Sequence, residues 1–281
     1  MRKATSDLLY KRLAKPWTLT LFPTRGESIV EGFSTVNEYA DFLIGASLTD
    51  YAKLVEDQRV IKDLMDASDT VRLRTYDRRT GQLCDLEIEI GGNGIHNVVD
   101  SCGGTHNVPD GKVFTSPNTT RLQGKVVLDV PVIYNGAEME GVYLEIKNGR
   151  IVDYRAERGQ DTLTKIIETD DGSHMMGEIA VGTNPNVTRA MKHPLFAEKI
   201  GGTCHMAIGR PYEDCYPELK HATDAEKEER IPQLVAAGRF HKSAQHVDIP
   251  TDFRNPTHGQ ALYIGDTELK WNGTDGKWNP V

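Results

Sequence analysis

The sequence predicts an α+β fold, with the remainder of a mixed α/β domain over residues 1–69 and a β-rich domain with flanking helices over residues 70–281. Three observations predict it. Capped patterns of helical period dominate up to residue 66. From about residue 70 the period shortens to two, and β-branched runs follow one another. The later helical patterns, near residues 161–169 and 223–239, stand isolated between those runs.

Taken in order, "WTLTLFPT" (17–24) alternates and ends near a proline, so it predicts a strand. "STVNEYADFLIGAS" opens a helix with the Thr35/Glu38 pair of a capping box. A second helix is expected over residues 50–66. Together these resemble the tail of an α/β domain whose beginning is absent. "TVRLRTY" and "DLEIEIGG" are alternating strands, and "GKVVLDVPVIY" is a Val-rich one. "VYLEIKNGRIVDYRAE" is a hairpin turning at Asn148-Gly149, a pair suited to two positive φ angles. "DTLTKIIET" is a short helix. "MGEIAVGTN" and "TCHMAIG" are further strands. "TDAEKEERIPQLVAAGR" carries a second capping box, Thr223 with Glu226, and stops at Gly238. Pro232 is expected to kink or split that helix.

The chain has 281 residues and a formal net charge of −8. No Lys/Arg block stands out, so no nucleic-acid partner is expected. No apolar run approaches the ~20 residues of a membrane span. The opening "MRKATSDLLYKRLAKPW" lacks the apolar stretch of a secretory leader. The four cysteines form no Cys-x-x-Cys, and free thiols in a reducing cytoplasm are expected.

The chemistry-bearing side chains gather in the C-terminal half. In "HKSAQHVDIPTDFR", His246 and Asp248 lie two apart, so on a strand they share one face. The pair is either a metal corner or a polar strand edge. Glu178 sits in "GEIAVGTN". His205 and Tyr212 sit in "EKIGGTCHMAIGRPY", where Thr203, His205 and Ala207 would share a face and Cys204 would turn to the packing. Carboxylate, imidazole and phenol donors suit Zn²⁺, Mn²⁺, Co²⁺ or Fe²⁺. Glu198 and Lys199 either help to position a substrate or form a surface ion pair.

These blocks, with "NVPDGKVFTSP", "LQGKVVLDVPVIYNGAEMEGVYLEIKNGRIVDYRAERG" and "TDDGSHMMGE", resemble the M29 family of metallo-aminopeptidases in order and spacing from residue 17 to residue 281. The resemblance implies a mixed α/β N-terminal domain followed by a β-rich metal domain. It implies two adjacent divalent cations, a peptide substrate cut at its N-terminus, and a homodimer. It carries metal-ligand roles onto Glu178, His205, Tyr212, His246 and Asp248. Glu178 would also contact the attacking water, and Tyr212 would steady the developing oxyanion.

One position departs from that pattern. The family carries a further ligand Glu where this chain has Lys112, in "PDGKVFTSP". Two unit charges ~4 Å apart interact by ~4 kcal/mol at an effective dielectric near 20. An ammonium there implies a lost metal, a lysine made neutral by burial and a neighbouring cation, or a lysine turned out to solvent. Fewer than two tightly bound ions are expected, with weak or absent peptidase activity. Two rival readings follow. His205, His246 and Asp248 make the donor set of a non-haem Fe(II) enzyme, and the scaffold also resembles ring-cleaving dioxygenases of the dihydroxypyridine type. A non-catalytic remnant is the third.

Overall fold

The computed structural model describes residues 16–92, 97–118 and 120–281. Residues 1–15, where a leader was sought, lie outside them. Three helices come first: α1 (Arg25–Val30), α2 (Val36–Ser47) and α3 (Tyr51–Asp66). Side chains cap each of them. Thr24, Thr35 and Asp50 accept the backbone N–H groups of Glu27, Glu38 and Lys53. The first predicted capping box is shifted by one residue, since Glu38 accepts from the N–H of Ser34.

The predicted strand at 17–24 does not form. Leu19 makes one parallel bridge to Asn107, and the segment is otherwise irregular. Leu21 packs on the core of α2, but Leu19 is 50% and Phe22 82% exposed, so the alternation does not bury one continuous face.

The strands follow. In chain order they are β1 (Thr70–Asp77), β2 (Gln82–Glu89), β3 (Asp100–Cys102), β4 (Lys112–Thr115), β5 (Leu122–Leu128), β6 (Val132–Tyr134), β7 (Ala137–Met139), β8 (Val142–Lys147) and β9 (Arg150–Arg155). Helix α4 (Gln160–Ile167) leads to β10 (Met176–Gly182), α5 (Pro194–Ala197), β11 (Thr203–Gly209) and α6 (Asp224–Ala236). Four strands close the chain: β12 (His246–Asp252), β13 (Ala261–Ile264), β14 (Thr267–Asn272) and β15 (Lys277–Pro280). The β8–β9 turn has φ of 50° at Asn148 and 77° at Gly149, as its sequence demands.

Among the described residues the strands form an antiparallel sheet in the order β15-β14-β13-β1-β2-β5-β8-β9, another in the order β12-β11-β10-β4-β3, and the β6–β7 pair. The two larger sheets share one apolar core. Val71, Leu73, Leu86, Val126 and Leu144 enter it from the first, and Val113, Ile179, Val181, Met206 and Ile249 from the second. Burying side chains of this size contributes about 1.5–3 kcal/mol each. Ile61 and Met65 of α3 belong to the same core, while α2 packs Tyr39 and Leu43 against Val187, Leu195 and Phe196. No helix among the described residues is long and apolar enough to cross a membrane. The four cysteines are free.

Helix α6 has both halves of its capping box and runs unbroken through Pro232. The expected split does not occur because Pro232 and Glu228 face solvent, where water can take the carbonyl that proline leaves without a partner.

Candidate metal centre

The second sheet has a polar face opposite its core. Strand alternation builds most of it. On β11, Cys204, Met206 and Ile208 enter the core, so His205 and Ala207 face the other way. On β12, Val247 and Ile249 enter the core, leaving His246 and Asp248 opposite. On β4, Val113 is inside, which leaves Lys112 and Phe114 on the polar face.

Strand β10 needs a further device. Met176 and Ile179 are both in the core, which simple alternation forbids. The β10–β11 register shifts between Met176 and Glu178, a bulge that resets the parity and turns Glu178 to the polar face. In the resulting register Asp248 lies opposite Ala207, and Ala207 opposite Glu178. The small Ala207 separates the two carboxylates without filling the space between them.

Three donor atoms meet there. Single ligand atoms of Glu178, His246 and Asp248 lie within 4.8 Å of one another. His246 Nε2 is 3.3 Å from Glu178 Oε2 and 3.5 Å from Asp248 Oδ1. All three atoms are closed off from water, and besides one another none has a hydrogen-bond partner among the described residues. Orphaned buried polar atoms are costly. Three converging on one point is the arrangement expected of ion ligands. His246 is oriented from behind, with Nδ1 2.7 Å from the Arg210 carbonyl oxygen. Burial opposes a proton on this imidazole, but the Asp248 and Glu178 carboxylates outweigh burial and hold its pKa well above the usual histidine range. Positive charge is therefore favoured at this point.

The other two predicted ligands lie beside the trio. His205 Nε2 is 3.3 Å from Glu178 Oε1 and 3.8 Å from Asp248 Oδ1. It is fully buried and turned to the Glu178 oxygen that faces away from His246. The set His205, His246 and Asp248, which could supply a non-haem iron triad, is not the one whose atoms converge among the described residues. Tyr212 places its ring centroid 4.7 Å from that of His246 and 5.6 Å from that of Phe114. The Tyr212 N–H donates to Ser116 Oγ at 3.2 Å.

Lys112 does not turn out to solvent. Its side chain is 5% exposed, and Nζ donates to Glu178 Oε1 at 2.7 Å and to Glu198 Oε2 at 3.1 Å. Nor is it driven neutral. Burial works in that direction, but Glu178 and Glu198 outweigh it and hold the ammonium well above the usual lysine pKa. Burial likewise works against a charged Glu178, and Lys112 with His205 and His246 outweighs it, keeping the carboxyl well below the ordinary range. Glu198 and Lys199 are not a surface pair. Lys199 is wholly buried and donates to Glu198 Oε2 at 2.7 Å, so Glu198 joins two lysines inside the protein. "FAEKIGG" leaves this open because nothing local shows that its lysine faces inward.

The family model of the thermophilic metalloproteases (M29) matches residues 3–253. Aminopeptidase 2 of Geobacillus stearothermophilus is 30% identical over 180 residues, covering 62% of this chain and 38% of that protein. Aminopeptidase AmpS of Bacillus subtilis (strain 168) is 32% identical over 181 residues, with coverage of 62% and 38%. The chain thus spans about 38% of the length of these curated relatives. Wild-type AmpT from Thermus thermophilus superposes with a TM-score of 0.63 at 20% identity, covering 88% of this chain and 57% of that one. The 2,5-dihydroxypyridine dioxygenase of Pseudomonas putida KT2440 superposes at 0.59 and 17% identity, covering 96% and 74%. At these identities both structures report a shared fold.

Proposed function

This chain belongs to the thermophilic metalloprotease (M29) family, and from that premise we propose that it is a metal-dependent aminopeptidase-like hydrolase removing N-terminal residues from peptides. The observation that carries the reading is the convergence of Glu178 Oε2, His246 Nε2 and Asp248 Oδ1, buried and, besides one another, without hydrogen-bond partners among the described residues. These three residues would hold a divalent cation, with His205 and Tyr212 as the neighbouring donors. Such an ion supplies Lewis-acid polarisation of the scissile carbonyl and a water of lowered pKa. Glu178 would be the carboxylate in contact with this water. Tyr212, a residue 40% exposed overall, would donate its hydroxyl to the oxygen that gains negative charge.

The same reading takes the metal to be zinc, cobalt or manganese and divides the chain near residue 69. It also takes the protein to be a cytoplasmic homodimer. Free cysteines support the compartment. Exposed Phe22, Leu48, Ile29 and Ile44 support association, since they leave apolar surface on the N-terminal segment.

The test is elemental analysis of the purified protein, followed by mass spectrometry of a peptide set incubated with it. Bound zinc, cobalt or manganese and a weak, chelator-sensitive loss of N-terminal residues are expected, since Lys112 impairs the site. Bound iron with cleavage of a dihydroxypyridine, and intact peptides, would point to the dioxygenase line instead.

A further inference from the structure

Glu178 divides its two oxygens between two environments. Oε1 accepts from Lys112 Nζ at 2.7 Å and lies 3.3 Å from His205 Nε2. Oε2 faces His246 Nε2 at 3.3 Å and has no other polar partner among the described residues. We propose that Lys112 is a built-in cation standing in place of a second divalent ion, so that the site takes one ion, joined to the ammonium through the shared carboxylate of Glu178. The proposal rests on the metal-dependent reading above.

Two independent observations carry it. The first is charge. Glu178, Glu198, Asp248 and the buried Asp110, which acts on both lysines, bring four negative charges, and Lys112 with Lys199 brings two positive ones, leaving two net negative charges once an ion holds the imidazoles neutral. A single divalent ion takes that set to neutrality, and a second would take it to two net positive charges, among side chains shielded from water. A carboxylate at position 112 would leave four net negative charges, which two divalent ions again neutralise. A ligand carboxylate with its divalent ion carries the same net charge as one ammonium. Lys112 therefore replaces both together and keeps the electrostatic balance.

The second observation is what surrounds the ammonium. Beyond Glu178 and Glu198, Nζ meets aromatic faces, 4.9 Å from the Phe114 ring centroid and 5.6 Å from that of Tyr212. A ring face attracts a monovalent ammonium through its quadrupole but offers no lone pair to a divalent ion. Glu198, 86 residues away in sequence, is in turn held by Lys199. This pocket is suited to an ammonium.

The experiment counts manganese on the purified chain after equilibration with Mn²⁺ and dialysis, and records its electron paramagnetic resonance. One ion per chain with the signal of an isolated Mn²⁺ is expected. Lys112→Glu is expected to bind two, with the signal of a coupled pair. Two ions in the unmodified chain overturn the proposal and leave the metal-dependent reading intact. No ion overturns both. A folded Lys112→Glu chain that still binds one overturns the role given to Lys112. If that variant does not fold, Lys112→Met serves: freeing Glu178 from its competing cation is expected to tighten the single ion by about tenfold or more, judged by calorimetry. Unchanged or weaker binding counts against the proposal.

Discussion

The Lys112 ammonium lies 2.7 Å from Glu178 Oε1, and neither side chain is open to water. In such a pair each partner makes the other's burial tolerable, and removing one leaves an uncompensated charge. Lys112→Met should therefore destabilise the metal-free protein by about 3–5 kcal/mol. Divalent ions should restore much of that loss, because ligands that bind the folded state stabilise it by mass action. Urea unfolding with chelator and with Mn²⁺ measures both effects. A loss under about 1 kcal/mol would match a solvated surface pair and contradict the buried geometry.

Asp170 ties the approach to His246. Its carboxylate accepts the N–H of Ala244 at 2.7 Å and both the N–H and the hydroxyl of Ser173 at 2.9 Å. Burial would raise its pKa, but these donors outweigh burial and hold it below the usual 3.8. The folded-state value is depressed, so its contribution is complete above the unfolded value and lost as pH falls through the folded one. Asp170→Asn should cost about 1–2 kcal/mol at pH 7. Unfolding midpoints of the two proteins should converge in more acidic solution. A gap that persists unchanged down to pH ~2.5 would show that the charge is not what holds the turn.

Gly209 ends β11 opposite His246 at a φ of 101°. An added Cβ would come within 2.4 Å of the Gln245 carbonyl oxygen, so alanine must push away the residue preceding His246. Gly209→Ala should cost about 1–3 kcal/mol and weaken ion binding. Gly136→Ala is the control, since its φ is 80° but no atom of the described residues lies within 4 Å of the new Cβ. It should lose stability through φ alone and keep ion affinity. Equal ion affinity in the two variants, by calorimetry, would separate Gly209 from the site.

How much of this is legible from sequence depends on the range of the interactions. Period-two alternation is local, so the shared faces of His205 with Ala207, and of His246 with Asp248, can be read directly. Caps are local too, and the helices at Thr35, Asp50 and Thr223 begin as their residues suggest. The bulge before Glu178 is not visible, because an extra residue is defined only against the partner strand. The orientation of Lys112 is decided by Glu178 and Glu198, 66 and 86 residues away. Residues 17–24 alternate as a strand should, yet they make one bridge and leave Leu19 and Phe22 in solvent. At Pro232 solvent exposure, which sequence does not report, keeps the helix whole.

Tyr212 gives a test that separates packing from chemistry. Its ring packs beside His246 and Phe114, and phenylalanine would preserve those contacts. The hydroxyl is different, because burial, with the Glu178, Asp248 and Glu198 carboxylates, outweighs Lys112 and holds it well above the usual tyrosine pKa, so it keeps its proton. A donor aimed at a developing oxyanion is worth about 10²–10³ in kcat, with little effect on substrate binding. Tyr212→Phe should therefore lower kcat by that order while leaving KM and ion content near those of the parent chain. Tyr212→Ala removes the ring as well, so it should also loosen His246 and weaken the ion. If the phenylalanine variant retains full kcat, the hydroxyl takes no part in the reaction and Tyr212 is a packing residue. If it loses the ion together with activity, the hydroxyl is a ligand, and the oxyanion role falls. Parallel measurements of kcat, KM and bound manganese on the two variants distinguish these outcomes.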